Sequence, residues 1–113
     1  MSGISTHVLD LTAGRPAVEL LIRLERKESD GIWRLLGEGR TDAGGRIGAL
    51  LAAGEVLMAR PHRLVFETGE WFRRQGVSAF HPEVVVSFLP EAGGHYHLPL
   101  LLSPFGYSTY RGS

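Results

Sequence analysis

The chain has 113 residues, 12 Lys and Arg against 12 Asp and Glu, and no cysteine. That length predicts a single domain spanning 1–113 that buries roughly two-thirds of its unfolded surface. Disulfides, thiolate zinc sites and cysteine nucleophiles are excluded, and a balanced charge offers nothing to nucleic acid or an anionic membrane. The first ten residues carry neither a basic leader nor an apolar core, and no apolar run nears the roughly 18 residues of a membrane span. A soluble, cytoplasmic protein without a signal peptide is the expectation.

Residues 5–11 are partly β-branched and end before Gly14-Arg15-Pro16, which predicts a strand and a turn. Residues 17–28 alternate, with Val18, Leu20, Ile22 and Leu24 on one face and Glu19, Arg23 and Glu25 on the other. Such alternation marks a half-buried antiparallel strand. Ser29-Asp30-Gly31 signals a hairpin, with residues 32–40 as the partner strand and Trp33 and Leu35 sharing a face. A second turn covers Asp42-Ala43-Gly44-Gly45. Residues 46–58 fit neither period and predict a short edge strand followed by an irregular connection.

Residues 62–67 alternate around Leu64 and Phe66 and predict another strand. Residues 68–76 read as one short helix: Thr68 as its cap, Glu70 in the first turn, Arg73 and Arg74 in the last, Gly76 as its stop. At about two turns, it needs packing through Trp71 or Phe72 to persist. Strands follow over 84–89, 96–102 and 106–110. Seven or eight short strands, closely spaced turns and one brief helix point to an antiparallel β-sandwich.

The groups able to do chemistry are five histidines, a few arginines and a hydroxyl-bearing terminus. His95 and His97 lie two apart on a strand and so share a face, a possible zinc half-site with His7 as third ligand. From the residues alone, an ordinary solvated or hydrogen-bonded side chain is the stronger reading for each histidine, and most strongly for His62 and His81. Arg46, following a double glycine, could offer its guanidinium to an anionic or carbonyl oxygen; an exposed edge arginine is the stronger reading from the residues alone. There is no phosphate-binding loop, no nucleophile elbow and no paired carboxylates.

Taken together and in order, several stretches resemble the transthyretin-related family of 5-hydroxyisourate hydrolases. They are Thr6-His7-Val8-Leu9-Asp10, Gly14-Arg15-Pro16-Ala17, residues 41–47, residues 64–72, Pro82-Glu83-Val84 and residues 95–113. The terminal Tyr110-Arg111-Gly112-Ser113 is the most specific piece, and separates the hydrolases from the carrier transthyretin. The resemblance implies an all-β Greek-key sandwich, a homotetramer built as a dimer of dimers, and active sites in its central channel. It implies hydrolysis of 5-hydroxyisourate to 2-oxo-4-hydroxy-4-carboxy-5-ureidoimidazoline, with no cofactor and no metal. His7, Arg46, His97 and Ser113 would be catalytic, with His7, Arg46, Tyr110 and Arg111 binding substrate.

Two other functions stay open: a non-catalytic small-ligand carrier, and a zinc site at His7, His95 and His97. The family's turn before the arginine more often reads Asn-x-Asp-Gly-Arg. Here the acid is absent at Gly44, which removes a possible turn hydrogen bond and bears on the pose of Arg46. His81 stands where the family more often has an aromatic residue, and is expected to belong to the turn before Pro82.

Overall fold

Residues 3–112 are described by the structure, a computed structural model. In β1 (Gly3–Asp10) the alternation is clean. Ile4, Thr6, Val8 and Asp10 are buried, while Ser5, His7 and Leu9 are half-buried on the opposite face. That outer face carries the chemistry described below.

After β1 come β2 (Arg15–Pro16), β3 (Leu21–Lys27), β4 (Trp33–Arg40), β5 (Arg46–Ile47), β6 (His62–Phe66), α1 (Thr68–Arg74), β7 (Val84–Phe88), β8 (His95–Ser103) and β9 (Gly106–Thr109). They form two sheets, one ordered β2-β1-β8-β9 with β5 also on β1, the other β4-β3-β6-β7. Ile4, Val8, Leu98, Leu100 and Leu102 from the first sheet meet Ile22, Leu24, Leu64, Phe66 and Val84 from the second in one apolar core. Each fully buried side chain of this kind is worth about 1.5–3 kcal/mol. The expected β-sandwich is present, with nine strands among the described residues because two are only two residues long.

One pairing departs from the antiparallel expectation. β1 and β8 run parallel over eight paired positions, from Gly3 opposite His95 to Asp10 opposite Leu102. Parallel neighbours need a long crossover, and most of the chain lies between these two strands. Thr6 strengthens the seam by donating its hydroxyl to the Leu98 carbonyl at 2.7 Å.

Residues 17–20 do not extend β3 as expected. Glu19 takes a φ of 64°, and Val18 is 40% exposed rather than aligned with Leu20. This segment carries the chain from the first sheet to the second, so period-2 alternation is broken there. Thr41 holds the crossing, donating to the Ala17 carbonyl at 2.6 Å and accepting from the Leu20 amide at 2.9 Å.

Trp33 and Leu35 do share a face, and it is the outer one, where the Arg63 guanidinium stacks 4.2 Å from the Trp33 ring. Leu36, on the other side by alternation, packs on the core, and a register shift opposite Leu24 and Glu25 leaves it unpaired, with Gly37 opposite Leu24. Residues 46–61 form the short edge strand β5 and an irregular connection, as expected.

The helix buries both Trp71 and Phe72, and Trp71 donates its indole N–H to the Val18 carbonyl at 2.7 Å. Gly76 closes it: the amides of Gly76 and Val77 bond the carbonyls of Arg73 and Phe72. Its start differs from expectation. Glu67 occupies the cap position without a side-chain cap bond, and Thr68 is turned into the core, its hydroxyl without a hydrogen-bond partner among the described residues.

Candidate active site

The outer face of the first sheet gathers the predicted residues from three strands. His7 of β1 lies directly opposite Arg46 of β5, so both project to the same side. On the other flank of β1, the parallel pairing sets Ser5 opposite His97 and His7 opposite Pro99. His97 therefore stands one pleat along from His7 on the same face. Two side chains ninety positions apart become neighbours because β1 and β8 pair in this register.

The turn before Arg46 is built by Asp42. One carboxylate oxygen accepts the amides of Gly44 and Arg46, each at 2.9 Å, while the Asp42 carbonyl accepts the Gly45 amide and its amide bonds the Arg46 carbonyl. The acid missing at Gly44 is thus compensated within the same turn. Asp42 lies below its ordinary 3.8, first because of the Arg46 amide bond. Burial works against that, and the Gly44 amide and the charges of Arg46 and His7 add to it.

Gly45 makes the turn possible at this site. Its φ is 75°, and a Cβ there would stand 2.5 Å from the Val8 carbonyl oxygen. The close approach is used: the Val8 amide bonds the Gly45 carbonyl at 2.8 Å. Arg46 is locked to β1 through this contact.

His97 is half-buried, with its Nδ1 2.9 Å from the Ser5 hydroxyl. Its pKa falls below the ordinary 6.5, chiefly because burial penalises the cation, then through the positive charges of His7, Arg46 and His95. The neutral imidazole, able to take a proton, is the form held near neutral pH. Gly112 closes against it. Gly112 donates its amide to the His97 carbonyl at 2.8 Å, and a Cβ at 112 would stand 2.9 Å from His97 Cδ2.

The remaining expected residues fall elsewhere. Arg111 turns away from His97 and stacks its guanidinium 4.8 Å from the Tyr96 ring. With Tyr110 and Tyr96 it lines a cavity of about 300 Å³ beside Phe88 and Leu98, to which none of His7, Arg46 and His97 contributes. The chain alone therefore does not bring Tyr110 and Arg111 to the His7–Arg46–His97 face. Ser113 lies outside the described residues.

His95 is exposed, with Gly3 as its partner, and among the described residues no three His, Asp or Glu side chains converge as a metal-binding set. The zinc arrangement of His7, His95 and His97 has no geometric support. His81 sits between the Phe80 and Tyr107 rings, in the segment before Pro82 as expected. Among the described residues no helix is long and apolar enough to cross a membrane.

Two residues of the site were not anticipated from the sequence. Asp42 carried a readable signal, because an acid opening a glycine-rich turn commonly caps its own amides. Ser5 carried none, since its partner lies on β8.

Residues 4–112 match the HIUase/Transthyretin family. The chain is 43% identical to a 5-hydroxyisourate hydrolase of Caulobacter vibrioides over 118 aligned positions, covering 100% of both. It is 42% identical to a 5-hydroxyisourate hydrolase of Salmonella dublin over 111 positions, 97% of this chain and 80% of that one. Among solved structures it superposes on Klebsiella pneumoniae 5-hydroxyisourate hydrolase with a TM-score of 0.87 at 38% identity, covering 99% of this chain and 100% of that one. Sea bream transthyretin in complex with thyroxine superposes with a TM-score of 0.90 at 34% identity, covering 97% and 94%. By its matched length and by these likenesses, the chain belongs to the HIUase/Transthyretin family.

Proposed function

We propose that this protein hydrolyses 5-hydroxyisourate to 2-oxo-4-hydroxy-4-carboxy-5-ureidoimidazoline, the ring-opening step of urate degradation. The observation that carries the reading is the convergence of His7, Arg46 and His97 on one face of the first sheet. A carrier has no use for an imidazole kept neutral beside a guanidinium; a hydrolase does.

The chemistry follows from those groups. An imidazole takes a proton from water as the oxygen adds to the ring carbonyl. Arg46 meets the negative charge that develops on the carbonyl oxygen, a role whose loss typically costs 10²–10³-fold. The ring carbon–nitrogen bond then breaks, the protonated imidazole returns its proton to the departing nitrogen, and a carboxylate and a ureido group result. No metal has a part in this scheme. Ser113 and its terminal carboxylate would close the pocket, with Tyr110 and Arg111 shaping it by anchoring the last turn of chain on Tyr96.

In the single chain the site is an open sheet face, which is a poor place to exclude water. We propose a homotetramer, a dimer of dimers, whose central channel covers that face. The reading is supported by bare edges: among the described residues β7 and β9 have one free side each, and Phe80 and Phe105 near them are 74% and 77% exposed.

The test is the decay of freshly generated 5-hydroxyisourate, followed by ultraviolet absorbance with and without purified protein. Catalysed decay at low protein concentration is expected. Decay at the uncatalysed rate, together with tight binding of an apolar ligand, would replace the hydrolase with a carrier.

A further inference from the structure

The His97 ring is held on two flanks, and only one of them belongs to the terminal segment. Along its Cδ2 edge runs the backbone of Gly112, close enough that a Cβ there would stand at 2.9 Å. On the other side the Nδ1 lies 2.9 Å from the hydroxyl of Ser5, its partner across the parallel β1–β8 ladder. Both ring flanks being occupied, Nε2 is left as the nitrogen without a hydrogen bond among the described residues. A ring rotated by half a turn would lose the hydroxyl and present carbon to it.

We infer that Ser5 is a positioning residue for the proposed hydrolysis: by accepting Nδ1–H, its hydroxyl sets the tautomer of His97 and leaves the Nε2 lone pair to take the proton of the attacking water. The choice of nitrogen in a neutral imidazole is set by what the other nitrogen bonds. A serine hydroxyl can either donate or accept, so the surroundings decide. Arg46 shares the outer sheet face with His97, and its permanent positive charge disfavours a proton on the side of the ring that it faces. A lone pair directed toward that charge is favoured over an N–H, which places the proton on Nδ1 and the acceptor role on Ser5. Among the described residues Ser5 makes no other side-chain hydrogen bond, so its hydroxyl is free to serve this one.

The inference rests on the hydrolase reading, and its test has a readout independent of turnover. Long-range ¹⁵N–¹H correlations of the uncomplexed protein at pH 8 report the His97 tautomer directly. Wild type is expected to show a single Nδ1–H form, and Ser5→Ala a mixture. In the assay, Ser5→Ala is expected to lower kcat about tenfold with KM within about twofold, since the ring stays in place but is productively oriented only part of the time. Ser5→Thr, which keeps the hydroxyl on a strand-compatible side chain, should restore kcat to within about twofold. A wild-type ring carrying its proton on Nε2, or a Ser5→Ala protein with both the same single tautomer and full kcat, overturns the assignment. A wild type without hydrolysis sinks the hydrolase reading, and the tautomer measurement still decides whether Ser5 sets the ring.

Discussion

The amide of Gly112 donates to the His97 carbonyl at 2.8 Å, so Gly112 lies along the strand that carries the candidate base. A side chain at 112 would meet the His97 ring at 2.9 Å and its carbonyl oxygen at 3.1 Å. Gly112→Ala must therefore move either the terminal segment or the imidazole. Turnover is expected to fall on the order of 10- to 100-fold, as a misplacement of about 1 Å typically costs. Because residue 112 lies outside the core, the melting temperature should hold within a few degrees. Removing residues 110–113 should abolish turnover while far-ultraviolet circular dichroism keeps its β signature. A truncated protein with normal turnover would break the claim that this end completes the site.

His97→Asn and His7→Asn are each expected to lower kcat/KM on the order of 10²-fold or more. The pH profile should separate them. Because His97 titrates below the ordinary 6.5, it stays a free base at neutral pH, and activity should fall only as pH drops through that depressed value. An acid limb centred above 6.5 would exclude His97 as the group reported. Wild-type turnover in both variants would sink the mechanism.

Asp42 holds Arg46 in place through main-chain bonds, and its charge is secondary to that role. Asp42→Asn keeps an oxygen able to accept both amides and should retain most activity. Asp42→Ala loses both bonds and should lower kcat/KM on the order of tenfold through the pose of Arg46. Equal losses in the two variants would show that the charge, not the turn, is what Arg46 needs. Steady-state kinetics of the pair decides it.

His62 makes stability depend on pH. Its Nδ1 lies 2.6 Å from the Arg60 carbonyl, which can only accept, so the proton sits there and Nε2 is bare, buried and without a partner among the described residues. Burial lowers the His62 pKa, helped by the charges of Arg26 and Arg60 and opposed by the Arg60 hydrogen bond and by Glu28. A histidine depressed in the folded state is protonated more readily when unfolded. Its stabilising contribution is whole above 6.5 and is lost as pH falls below that value toward the folded pKa. Melting temperatures between pH 7 and 5 should fall less steeply in His62→Phe, which keeps the ring contact with Phe88. Parallel slopes in the two proteins would refute the assignment.

Much of the fold was legible because local patterning and tertiary environment agree. The alternation in β3 and β6, the Gly31 hairpin and the Gly76 stop each express one backbone preference that the core then uses. The exceptions share a cause. Glu19 leaves the β region where the chain crosses between sheets, and Thr68 is drawn into the core at the helix start. In each, a long-range demand overrides a local rule.

The site divides along the same line. By itself the sequence determined which side chains are available: His7, Arg46 and His97 on strands, a turn ahead of the arginine, and a terminus with a specific motif. Only the tertiary structure decided that they face one another. The parallel pairing of β1 with β8 joins residues from the two ends of the chain, and its register sets Ser5, not His7, opposite His97. It also put Arg111 on the far side with Tyr96, because successive residues of β8 point to opposite faces. Strand register is a property of two segments at once, and no single stretch of sequence contains it.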